Sequence, residues 1–270
     1  MTNLVYGTPS LWYNIYVIDI TDYREKTDGE VEAVRRAQEI TDKAYAKVLP
    51  QIKSGMTELQ LADIIERELL ECGAEETAFP TIVAFGKNAL DPHAVPGKKR
   101  LKAGLLIMMD FGAKLGGYCS DMTRTVAFKK ASELQRFLYN AVLEAQEATI
   151  EQLKVGAVCE EIHAFATAQL AKYRLERYFP HGTGHGVGLK VHEAPSFHRY
   201  DKNCPKDVPL EEYKKTGTPI KHNSVVTVEP GIYYKTLFKK IGVRIEDLVL
   251  VTNDGIEILT KTPKQLLILE

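Results

Sequence analysis

The chain has 270 residues, 44% hydrophobic and 26% charged, enough for one or two domains around a large buried core. Its 35 basic side chains against 36 acidic ones leave a net charge of −1, which gives no electrostatic pull toward nucleic acid or an anionic membrane. No apolar run approaches the ~18 residues of a membrane span. The four cysteines, Cys72, Cys119, Cys159 and Cys204, lack a CxxC spacing, which predicts reduced thiols in a cytoplasmic protein rather than a disulfide frame or zinc knuckle.

Taken in order, the apolar patch at 11–20 has no basic segment before it and is interrupted by Asn14 and Asp19, so it does not read as a signal peptide. Residues 15–20 suit a short strand, 21–29 a charged linker, and 1–28 together an N-terminal extension to a main domain over 29–270. A helix is expected over 30–48, with Val31, Val34, Ala37, Ala44 and Val48 at helical spacing and Pro50 after it. Thr57 and Gln60 form a capping box for a second helix with Leu61, Ile64, Ile65 and Leu69 on one face, stopped by Gly73. A strand over 79–85, a loop over 86–99 containing His93, and a strongly apolar strand over 105–111 follow. Gly116-Gly117 turns the chain into a returning strand, 118–128. Ser132 and Gln135 form another capping box. Its helix should run to about 153, with Leu134, Phe137, Leu138, Ala141, Val142 and Ala145 facing inward. A helix over 160–172 precedes the stretch 181–195, where three histidines interleave with four glycines. Residues 196–221 are polar and lysine-rich and read as a long surface loop. Strands are expected over 224–229 and 243–251, with a strand or turn over 233–238 between them, and an apolar run, 266–269, lies near the end.

The halves repeat at an offset of about 100 residues: Gln51-Ile52-Lys53-Ser54-Gly55 matches Gln152-Leu153-Lys154-Val155-Gly156, and Phe79-Pro80 recurs as Phe179-Pro180. Further on, His93 falls opposite His192, Asp110 opposite Glu229, and Asp121 opposite Glu246. Two such halves packed about a pseudo-twofold axis would aim matched acids and histidines at one site.

Asp110 ends an apolar strand and Asp121 lies on its return; Glu229 and Glu246 occupy similar places in the second half. Carboxylates on hydrophobic strands repel each other and are costly to bury without a cation. Four acids with one or two histidines make a hard oxygen and nitrogen donor set, suited to Mn²⁺, Fe²⁺, Co²⁺ or Zn²⁺. Four negative charges suggest two divalent ions, which in such sites sit about 3.5–4 Å apart and activate water for amide hydrolysis.

The motifs Asp110-Phe111-Gly112, Ser120-Asp121-Met122-Thr123-Arg124, His181-Gly182-Thr183-Gly184-His185-Gly186, Val191-His192-Glu193, Val228-Glu229-Pro230-Gly231 and Arg244-Ile245-Glu246-Asp247 resemble those of the pita-bread metallopeptidases. That family includes methionine aminopeptidases, aminopeptidase P and Xaa-Pro dipeptidase. The resemblance covers about residue 26 onward. It implies an α+β fold, with duplicated helices over a curved, mainly antiparallel sheet. It implies Asp110, Asp121, His185, Glu229 and Glu246 as ligands of two divalent ions, Mn²⁺ first and Co²⁺, Fe²⁺ or Zn²⁺ as alternatives, with Asp121 and Glu246 bridging. It places His93 and His192 beside the metals, facing substrate and the developing oxyanion, and makes Glu229 also the proton shuttle.

His181, Arg244 and the form Glu229-Pro230-Gly231-Ile232-Tyr233 resemble the proline-directed members, with His181 and Arg244 near the substrate. The implied reaction is hydrolysis of the bond between an N-terminal residue and proline in a small peptide. The alternatives are removal of N-terminal residues in the manner of methionine aminopeptidase, and a non-catalytic binding protein on the same fold. Proline peptidases usually carry a further N-terminal domain of over a hundred residues that often helps form dimers. Only a short segment precedes the first helix here, so a homodimer is admitted but not required. The remaining histidines, His163, His198 and His222, read as ordinary core or surface residues.

Overall fold

The computed structural model describes residues 23–206 and 208–270; the strand expected over 15–20 lies outside them. Helix α1 (Asp28–Val48) starts two residues before the expected boundary. The cause is another capping box: the Thr27 side chain accepts from the Glu30 amide while the Glu30 carboxylate accepts from the Thr27 amide. Helix α2 (Glu58–Glu71) has the expected Thr57/Gln60 box and ends before Gly73, whose φ of 107° suits only glycine. Then come β1 (Glu76–Thr77), β2 (Ile82–Phe85), β3 (Leu106–Phe111), β4 (Ala113–Leu115), β5 (Tyr118–Cys119) and β6 (Met122–Phe128). The second half has α3 (Glu133–Ile150), α4 (Cys159–Ala171), β7 (Gly184–Gly186), β8 (Glu193–Phe197), α5 (Tyr200–Asn203), α6 (Leu210–Tyr213), β9 (Ser224–Val228), β10 (Gly231–Lys235), β11 (Lys240–Arg244), β12 (Asp247–Thr252), β13 (Gly255–Ile258) and β14 (Ile268–Leu269).

One sheet has the order β14-β6-β3-β2 and another β13-β12-β9-β7-β8. Their pairs are antiparallel except β14, which lies parallel to β6. The arrangement is the α+β class that the sequence predicts. Leu61, Ile65 and Leu69 of α2 pack on Phe85, Ile107, Met109 and Phe111 of the first sheet. In the second half, Leu138 and Val142 of α3 and Leu170 of α4 pack on Ile232 and Val243 of the β10–β11 hairpin. Each such side chain contributes about 1.5–3 kcal/mol when fully buried.

The duplication is visible in backbone hydrogen bonds. The Gly55 amide donates to Leu101 and the Gly156 amide to Ile220; the Glu58 amide donates to Lys99 and the Cys159 amide to Thr218. Isolated bridges join Thr57 to Arg100 and Val158 to Pro219. The second span is longer because it holds α5 and α6.

Several expectations need correction. Phe137 is 46% exposed and stacks edge-on to Tyr173 instead of entering the core. The stretch 196–221 is not a uniform surface loop, because Tyr213 and Ile220 are buried. The returning strand 118–128 breaks at Ser120-Asp121, and the strand expected over 243–251 breaks at Ile245-Glu246. At the second break the chain leaves its own ladder to bond across the halves: the Glu246 amide donates to the Thr123 carbonyl.

Candidate metal centre

Asp121 projects from the break before β6, His185 from the middle of β7, and Glu246 from the break before β12. Their ligand atoms all lie within 4.8 Å of one another, and the residues are 4%, 6% and 2% exposed. The glycines around His185 explain its placement. A Cβ on Gly184 would come 2.0 Å from the Thr227 carbonyl oxygen, and one on Gly186 would come 2.3 Å from that of Ala194. Only glycine lets β7 lie this close to its neighbours and carry the imidazole inward. His185 Nδ1 is 3.1 Å from the Gly186 carbonyl oxygen. A carbonyl only accepts, so Nδ1 donates there, and Nε2 is the ring atom aimed at the acids. That Nε2 lies 3.2 Å from Glu229 and 3.7 Å from Asp121.

Asp110 stands beside this group. Its Oδ2 accepts from Arg244 Nη2 at 2.5 Å, while its buried Oδ1 has no hydrogen-bond partner among the described residues. Burial, with help from Glu246 and Asp110, pushes the Asp121 carboxyl well above its ordinary range. Burial, with Glu229 and Asp110, does the same to Glu246. Asp110 is also raised by burial, against the opposing charge of Arg244. Glu229 goes the other way: burial pulls it upward, but the His185 hydrogen bond and the charges of His185, His181 and Arg244 bring it down to about 2. Four acids sharing a dry site cannot all ionise unaided. The orphaned Asp110 oxygen, the crowded carboxylates and the aimed imidazole fit a divalent cation bound by oxygen and nitrogen. The three convergent residues Asp121, His185 and Glu246 suffice for one ion.

A hydrogen-bonded wall closes one side. Arg244, only 3% exposed, donates from Nε to Thr123 Oγ1 at 3.0 Å, and from Nη1 to the Tyr233 hydroxyl at 2.8 Å and the Pro92 carbonyl at 3.1 Å. Thr123 Oγ1 donates in turn to Glu246 Oε2 at 2.6 Å. His181 Nδ1 is 2.7 Å from the Gly182 carbonyl, and its Nε2 is 2.9 Å from the Tyr233 hydroxyl. Burial, above all, lowers His181 to about 4, with Arg244 adding to it and Glu229 opposing. Burial also raises Tyr233 to about 12, so a protonated phenol donates to His181. The His192 ring lies 4.0 Å from that of His185; burial, then His185, lowers it to about 2. His93 is near enough to act electrostatically on both His181 and His192.

The sequence did not single out Thr123 and Tyr233 for this network. Thr123 could have been found from strand period, since it lies two residues after Asp121. Of the histidines set aside, His163 is buried, 2.9 Å from Thr183 Oγ1, and His222 accepts from the Asn253 amide at the surface. The four cysteines are free thiols. Among the described residues no helix is long and apolar enough to cross a membrane.

A model of metallopeptidase family M24 matches residues 32–253. The chain is 39% identical over 242 residues to an Xaa-Pro dipeptidase of Pyrococcus furiosus, covering 90% of this chain and 64% of that protein. It is similar to the crystal structure of an X-Pro aminopeptidase from Thermotoga maritima, with a TM-score of 0.81 and 34% identity over 90% of this chain and 64% of that one. An Xaa-Pro dipeptidase from Bacillus anthracis gives a TM-score of 0.81 and 36% identity, over 91% and 64% of the two chains. The chain therefore spans somewhat under two thirds of the length of these relatives.

Proposed function

The chain belongs to metallopeptidase family M24, and on that premise we propose that it is a metal-dependent exopeptidase cleaving the bond between an N-terminal residue and proline. This is the reaction type named for the Xaa-Pro dipeptidase and X-Pro aminopeptidase it resembles. The observation that carries the reading is the buried convergence of Asp121, His185 and Glu246. We extend that set to Asp110 and Glu229, and to two divalent ions, Mn²⁺ first. Bound there, such ions supply Lewis acidity to the scissile carbonyl and to the attacking water.

The chain's own groups do the rest. Glu229, beside His185, takes the proton from the water and returns it to the leaving amine. His192, held neutral by its burial, offers a ring N–H to the oxygen where charge develops, and His93 approaches from the opposite loop. The line Arg244, Tyr233, His181 holds one wall rigid, and its buried ring faces border the proline. The free thiols support the cytoplasm as the compartment.

One assay tests the reading. Metal-stripped protein is given Mn²⁺, Co²⁺ or Zn²⁺ and offered Xaa-Pro dipeptides, Xaa-Pro-Xaa tripeptides and Met-peptides. Turnover of Xaa-Pro substrates restored by added metal is expected. Faster cleavage of Met-Ala peptides would replace it with the methionine aminopeptidase reading.

A further inference from the structure

Glu58 opens α2 and is completely buried (0% exposed). A buried carboxylate is costly unless its oxygens are well supplied with donors. Here Oε1 accepts from the Phe85 amide at 2.7 Å and Asn88 Nδ2 at 2.9 Å, and Oε2 accepts from the Gly97 amide at 3.0 Å and Asn88 Nδ2 at 3.0 Å. Its place in the first turn of a helix adds a favourable dipole. Phe85 ends β2 and Gly97 lies where the chain returns, so one side chain grips both ends of the intervening loop and, through Asn88, its middle.

That loop is the one that reaches the site. The Asn88 carbonyl accepts from the Asp91 amide. Asp91 Oδ1 accepts from the His93 amide at 3.0 Å, which fixes the turn at His93. The Pro92 carbonyl takes its hydrogen bond from Arg244. Ala89 rests against β11 at Gly242, where a Cβ would come 1.8 Å from the Ala89 carbonyl oxygen. The loop is therefore clamped between Glu58 on one side and β11 with Arg244 on the other.

We infer that Glu58 is a positioning residue for the reaction proposed above: its carboxylate holds residues 85–97 so that His93 and the Pro92 carbonyl meet the site. It acts through the loop and touches neither substrate nor metal ligand. The inference rests on the Xaa-Pro peptidase reading for its catalytic consequence, but not for the clamp itself. The second half supplies an internal control. Glu160, equally buried near the start of α4, accepts from Asn203 Nδ2, the Tyr213 hydroxyl and the Thr218 amide, and so serves a different loop.

The test compares Glu58→Gln, Asn88→Ala and Glu160→Gln with the parent in the full chain. Three quantities are read: hydrogen exchange by segment, bound Mn²⁺ per chain, and kcat and KM on an Xaa-Pro dipeptide. An amide at position 58 presents N–H groups to the donors it faces. Glu58→Gln should raise exchange across 86–97 about tenfold while α2 and the β3–β6 ladder keep their protection. Metal content should stay at the parental value, and kcat should fall ~10–100-fold, with KM moving less than about threefold, since misplacement by an ångström is that costly. Asn88→Ala should do the same more weakly, and it decides the matter if the position 58 variant does not fold. Glu160→Gln should leave exchange at 86–97 as it was. Parental exchange at 86–97 in folded Glu58→Gln would overturn the inference. So would parental kcat despite a loosened loop, or protection lost equally throughout α2. If the parent turns over no Xaa-Pro peptide, the functional reading falls, and the exchange measurement alone decides the clamp.

Discussion

Each half of the molecule gives the site two acids, but the guanidinium and imidazole that contact those acids come from the second half. Asp110 and Asp121 come from the sheet built on β3 and β6, yet the guanidinium on Asp110 belongs to Arg244 at the end of β11, and the imidazole near Asp121 belongs to His185 in β7. In the second half, Glu229 has His185 from its own sheet. Of the seven histidines only His93 lies in the first half. The duplication thus supplies matched scaffolds, while the compensation of charge is one-sided. Residues of the second half should therefore be the more sensitive to change.

The largest expected effect is at His185. His185→Ala should remove bound metal, measured as ions per chain after dialysis, and cut turnover by roughly 10³-fold, as expected for losing several kcal/mol of charge stabilisation. Retention of full metal and activity would make the centre depend on carboxylates alone.

Arg244→Met comes next. It strips Asp110 of its cation and should cost about 3–5 kcal/mol in urea unfolding of metal-free protein, with a smaller loss once Mn²⁺ is present. Equal losses with and without metal would mean that Asp110 does not face the ions.

The smallest effect is a pH dependence. His163, buried against Thr183, is lowered to about 4, chiefly by burial and then by the charges of His198, His181 and Arg199. Unfolded, it would titrate near 6.5. The unfolded chain then binds more protons between those values, so stability falls as pH drops from about 6.5 toward 4. Between pH 7 and 5 the share of this loss due to His163 should be about 1–2 kcal/mol. His163→Gln should remove that share of the slope in thermal melts of metal-free protein and leave the share of His181 and His192, and an unchanged slope would assign it to other groups.

Local chemistry carried much of this architecture into the sequence. The boxes at Thr57 and Ser132 start α2 and α3 where a short-range hydrogen bond dictates. The box at Thr27 is just as local, and it starts α1 two residues ahead of the boundary that apolar spacing alone predicts. Other features depend on tertiary contacts that no local pattern encodes. Phe137 keeps the helical spacing of its neighbours, yet α3 presents a narrower face to the core and leaves it outside. The runs through Asp121 and Glu246 look like unbroken strands, and only the cross-half bond from the Glu246 amide to Thr123 shows why the second stops. The four candidate carboxylates can be gathered by symmetry, whereas His185 has no counterpart in the first half. That Arg244 would spend its donors on Asp110, Tyr233, Thr123 and Pro92 could not be read in this way, because those partners are far apart along the chain.

The parallel pairing of Ile268 and Leu269 with Ala127 and Phe128 bears on how the molecule is assembled during synthesis. The edge of β6 waits for a strand made long afterwards, and Asp42 of α1 waits for the amides of Lys261 and Thr262. Despite their internal likeness, the halves are tied together by the last residues of the chain. A ribosome that stalls before residue 268 would leave β6 as an open edge of a three-stranded sheet, and exposed edges of that kind invite pairing with other chains.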